Sequence, residues 1–155
     1  MSRPAVFESG FSLVEVTLAL GVAAICLMTV FAFLPVGLRT TQNANEQLAS
    51  ADILGAVAGD LRATPATISM SPRFAIPISA NPVDATTTTA LFFDAEGEFS
   101  SALTADSRYQ LTVTFLRNSG AHAATLVGLK ITWPAAASPD NAAGFGEMFL
   151  ALDRN

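Results

Sequence analysis

Gly10-Phe11-Ser12-Leu13-Val14-Glu15-Val16-Thr17-Leu18-Ala19-Leu20 opens an apolar run that continues to about Leu38 and carries one carboxylate near its start. A charge at the centre of a membrane helix costs roughly 2.5 to 3.5 kcal/mol and usually has a partner or a function. Glu15 lies four residues past Phe11, about 6 Å along a helix, so it need not reach the bilayer centre. A cut between Gly10 and Phe11 would place a new α-amino group one turn from that carboxylate. Within one molecule such a pair fits loosely. Two copies offset along a bundle could set the amine of one against the carboxylate of the next, pinning their register in an apolar medium.

A short polar leader ending in Gly10, followed by Phe-Ser-Leu-Val-Glu-Val and about twenty more apolar residues, resembles the class III signal of type IV pilins and type II secretion pseudopilins. The resemblance implies that a prepilin peptidase cuts after Gly10 and methylates the amine of Phe11, and that Glu15 guides the subunit into a filament. The Leu34-Pro35-Val36-Gly37-Leu38 segment and residues 51–65 are similar to minor pilins of the PilV type. More narrowly, they are similar to pilin-like proteins encoded in multi-gene cassettes of Verrucomicrobia. Residues 6–65 carry the likeness. Many major pilins have a proline where the helix melts during assembly, and that position falls here on Ala32. Pro35 stands three residues later, and because proline removes a helical hydrogen bond a kink or local unwinding is expected between Phe31 and Pro35. The partners implied are prepilin peptidase, other pilins or pseudopilins, an inner-membrane assembly platform and the lipid bilayer. The chain would lie in a bacterial inner membrane with its carboxy-terminal part in the periplasm.

Three plainer readings compete. A secretory signal peptide has an apolar core of only about 7 to 15 residues, shorter than this run, and would not contain Glu15. A lipoprotein signal needs small residues just before Cys26, where Ile25 stands. An ordinary single-pass anchor is the serious alternative, since Phe11 to Pro35 gives about 37 Å of helix against roughly 30 Å of hydrocarbon. It leaves the Gly-Phe junction and the spacing of Glu15 unexplained.

The chain has 155 residues, which leaves room for one domain beyond the helix, and its net charge of −5 offers none of the basic surface that nucleic-acid binding requires. Cys26, the only cysteine, cannot form an internal disulfide and is expected as a small buried hydrophobe. Arg3 and Arg39 flank the apolar run, so positive charge does not fix its orientation.

Past Leu38 the chain turns polar yet keeps helical spacing. Leu48, Ala51, Leu54, Val57, Ala58 and Leu61 predict an amphipathic continuation over 39–64, ended by Thr64-Pro65. Gly55 and Gly59 allow a close helix contact or are simply tolerated. From residue 65 onward short strands are predicted: Phe74–Ile76 as an extended piece, then Ala90–Phe93, Tyr109–Leu116, Thr125–Trp133 and Met148–Leu152. Asn118-Ser119-Gly120 supplies a short hairpin turn. The expected fold is α+β: a leader over 1–10, a transmembrane or filament-core helix over 11–38, its amphipathic continuation over 39–64, and a small antiparallel head over 65–155. Pro77–Thr89 and Ala135–Gly146 are expected as surface loops, open to contact with neighbouring subunits.

The acidic stretch Asp94-Ala95-Glu96-Gly97-Glu98 invites a calcium reading, but it lacks the spacing of an EF-hand and fits a solvated hairpin turn better. No metal or other cofactor is expected. His122, the only histidine, sits in a small-residue turn, and there is no nucleophile elbow, phosphate loop or Cys/His metal spacing. The expected function is structural, a minor pilin or pseudopilin of a type IV pilus-like or type II secretion-like filament. The runner-up is a single-pass anchored binding module that does not polymerise. Sequence leaves open which filament it would join.

Overall fold

The computed structural model describes residues 10, 12–78, 86–117 and 124–153. Helix α1 (Leu13–Ala63) starts where the Val16 N–H donates to the carbonyl of Ser12 at 3.1 Å, with Glu15 in its first turn and Arg62 in its last. Both charges complement the helix dipole. The helix continues through Pro35, so of the kink or local unwinding expected between Phe31 and Pro35 there is no unwinding. Proline leaves the Phe31 carbonyl without its usual donor, but one missing bond is carried by the intact ladder on either side.

The chain divides into two compact units, one reaching Ala44 and one beginning at Asn45. In the first, every described residue is exposed. Cys26 is among them, against the expectation that it is buried: within this unit no described residue covers it.

The second unit holds the end of α1 and a five-stranded antiparallel sheet. Its strands are β1 (Thr87–Phe93), β2 (Phe99–Ser100), β3 (Tyr109–Phe115), β4 (Thr125–Trp133) and β5 (Gly144–Leu152), in the order β2-β1-β3-β4-β5. Alternation drives it: Leu111 and Val113 in β3, and Val127, Leu129 and Ile131 in β4, turn inward and are at most 1% exposed. Each such side chain contributes about 1.5 to 3 kcal/mol on burial. The helix contributes Ser50, Ile53, Leu54, Val57, Ala58 and Leu61. The predicted stripe is therefore displaced, since Leu48 and Ala51 are exposed. Leu48 lies roughly 150° round the helix from the centre of the buried set.

Three boundaries differ from expectation. β1 starts at Thr87, so Thr87–Thr89 belong to the sheet and not to a loop, while residues 79–85 lie outside the described part. Phe74–Ile76 is no strand. The N–H of Ser71 donates to the carbonyl of Ile76 at 2.9 Å, Ala75 takes a φ of 51°, and the Asp60 carboxylate accepts from the N–H groups of Arg73 and Phe74, each at 3.3 Å. This closed turn presses Phe74 edge-on against Phe93 and Phe99, with ring centroids 5.7 and 5.8 Å away. Finally, β5 begins at Gly144, four residues ahead of Met148. A Cβ on Gly144 would stand 2.2 Å from the Trp133 ring, and one on Gly146 would stand 3.5 Å from Leu54 Cδ1. Both read as loop residues in sequence, but Gly144 is what lets the strand pass beneath Trp133. β3 and β4 pair as the predicted hairpin, but their connection covers 116–124, longer than a tight turn, and Asn118-Ser119-Gly120 lies outside the described residues.

Candidate functional site

At the head of α1, Glu15 lies on a helix face with Val16, Ala19, Leu20 and Ala23, which together line an open, mostly apolar recess. The spacing 15, 19, 23 is one row along a helix. Ala19 and Ala23 are small enough to leave a shelf one turn beyond the carboxylate. Within the first turn the unpaired backbone N–H groups favour an anion, and the Thr17 hydroxyl donates to the Val14 carbonyl at 2.9 Å rather than to Glu15. Gly10 is exposed, with no described residue within 4 Å of where a Cβ would stand. Phe11 lies outside the described residues. Among the described residues, the geometry presents Glu15 with open space beside it, bounded by alkyl side chains.

The remaining sequence-predicted positions are scattered. Pro35 lies five turns further along the helix, in the exposed unit. Asp94, Glu96 and Glu98 form the turn between β1 and β2. Asp94 Oδ1 accepts from the N–H of Glu96 at 3.0 Å and of Glu98 at 2.8 Å, and Gly97 closes the turn with a φ of 85°. Here a glycine is needed, because a side chain is strained at that angle. Asp94 is thus engaged in holding the turn. His122 lies outside the described residues.

Sequence reasoning missed the outer face of β4 and β5. Phe145 and Phe149 are 65% and 72% exposed, and between them Lys130 Nζ sits 3.3 Å from Glu147 Oε1 and 5.6 Å from the Phe145 ring centroid. Opposite Phe149 stands Gly128, whose missing side chain leaves room for the ring. The signal was present as alternation in Phe145-Gly146-Glu147-Met148-Phe149, but the two glycines concealed it. On the helix side, Glu46 pairs with Arg108, which ties α1 to the start of β3.

Family models, curated proteins and solved structures give no match to this chain. What fold and site define is an α+β protein with one amino-terminal helix long and apolar enough to cross a membrane.

Proposed function

We propose that this chain is a minor pilin or pseudopilin, a membrane-stored subunit that is cut after Gly10 and drawn into a helical filament. One observation carries the reading: a helix exposed on every side from Leu13 to Ala44 bears a single carboxylate in its first turn, next to a shelf of small apolar residues. The apolar part of that surface, which runs to Leu38, demands lipid or other helices around it. A filament core of bundled copies supplies the helices, and the bilayer stores the subunit before assembly. Glu15 then accepts the methylated Phe11 amine of a neighbouring copy, and in an apolar setting that ion pair fixes the stagger between subunits. Replacing the carboxylate with an uncharged group removes the register without touching the head.

The amino terminus of the protein recovered from membranes tests this, by intact mass and terminal-peptide mass spectrometry with prepilin peptidase present and absent. Peptidase-dependent N-methyl-Phe11 is the expected result. A terminus upstream of Gly10 under both conditions would sink the reading and leave a single-pass anchored binding module.

A further inference from the structure

Among the described residues the sheet has two open ends. At one, β5 closes the strand order; at the other, β2 pairs only with Phe92 and Phe93 of β1, so that Thr88 and Ala90 extend beyond it. The hydrogen-bond phase identifies which backbone groups face outward. The Leu116 N–H donates to the Leu126 carbonyl at 2.9 Å, in register with the pairs Thr114↔Gly128 and Thr112↔Lys130. Even-numbered residues of β4 therefore bond to β3, and odd-numbered ones bond to β5. Because Leu129 pairs with Met148 and Val127 with Leu150, the N–H and C=O groups of Phe145, Glu147, Phe149 and Ala151 turn to the open edge. The same alternation turns those of Thr88 and Ala90 away from β3. All six side chains are exposed. A nine-residue edge strand with neither Pro nor Lys is a template for another strand. Its one charge, Glu147, is already paired with Lys130.

We propose that the β5 edge of one copy pairs with the β1 edge of a second copy, continuing the sheet from subunit to subunit. Strand direction selects this occupant. Neighbouring strands are all antiparallel, so β5 runs opposite to β1, and a like-oriented second copy presents β1 antiparallel to β5. Pairing β5 with β5 instead needs a two-fold axis. β5 runs alongside α1 in the same sense, with Gly146 beside Leu54 and Leu152 beside Leu61, so that axis would reverse one copy's helix against the other's. A polar filament of like-oriented subunits permits head-to-tail contacts, and in this respect the proposal rests on the filament reading.

The test uses the full-length chain in membranes of cells that carry the assembly machinery, with Cys26→Ser removing the native thiol. Two differently tagged copies, one A90C and one F149C, are treated with a short flexible bismaleimide that tolerates a small register shift. A mixed A90C–F149C dimer is expected. It should be lost with Glu147→Pro, which removes an edge-facing N–H and spares the ladder to β4, and independently with Thr88→Pro on the facing edge. Predominance of F149C–F149C dimers overturns the proposal. So does absence of the mixed dimer where the subunits carry N-methyl-Phe11 and enter filaments, a result that leaves the filament reading standing. A mixed dimer formed by chains with an uncleaved terminus supports the edge contact and overturns the filament reading alone.

Discussion

Residues 13–38 and 50–61 of α1 share one backbone ladder, yet they meet opposite surroundings. Phe31 and Phe33 are 66% and 69% exposed, whereas Val57 and Leu61 are 0% and 1% exposed. The difference lies in arrangement. In the first stretch apolar residues go all the way round, which no single sheet face can satisfy; in the second they form one stripe, and the sheet answers it. A helix apolar on every side belongs in lipid or among other helices, and a striped helix belongs on a domain.

Glu15 separates the two regions most sharply. Glu15→Ala should abolish filament incorporation, measured in sheared filament fractions, while thermal unfolding of the head stays as in the parent; normal incorporation would remove the assembly role. Next comes Leu129→Ala in the sheet, which should cost about 3 kcal/mol by denaturant unfolding. The matching change Leu20→Ala, on the exposed stretch, should leave that transition unmoved. Equal effects would show that the two regions unfold as one. Gly144→Ala should cost about 1 to 3 kcal/mol through overpacking against the Trp133 ring, read as a lower midpoint with an altered Trp133 fluorescence. The smallest effect is alkaline. Burial first, and then the charge of Glu46, hold the Tyr109 phenol above its ordinary value of 10.0. The unfolded tyrosine ionises first as pH rises past that value, the native state binds more protons there, and stability falls with pH. Tyr109→Phe should flatten the decline in a series of melts above pH 10.

β3 and β4 were legible from sequence almost to the residue, because Leu111-Thr112-Val113-Thr114-Phe115 and Val127 to Trp133 alternate without interruption and their partners lie on both sides. β5 was half hidden: Gly144 is demanded by the Trp133 ring, and a clash across the fold leaves no local mark in the chain. The helix stripe was displaced for a related reason. Ser50 is buried with its hydroxyl donating to the Gln47 carbonyl at 2.8 Å, so a polar residue that satisfies itself took the inward position that Leu48 had been expected to share. Phe74 to Ile76 read as a strand from its apolar content, whereas the Asp60 carboxylate, more than a turn's length away in sequence, shapes it into a closed loop. Glu15 stood out in sequence because a lone carboxylate in an apolar run is conspicuous; the shelf beside it depended on Ala19 and Ala23 falling on the same row.

The contact between Gly146 and Leu54 joins residues 92 positions apart (146 − 54). The strand that seats against the helix is thus the last of these five to leave the ribosome. Until it arrives, the odd-numbered edge of β4 has no partner strand and Leu54 lacks the strand beside it, and the loop that must be gathered is as long as the head itself. A chain that stops short of Gly144 therefore loses more than its final strand: it carries an adhesive surface along both the helix and the sheet, ready to be recognised by proteases or to cling to its own kind.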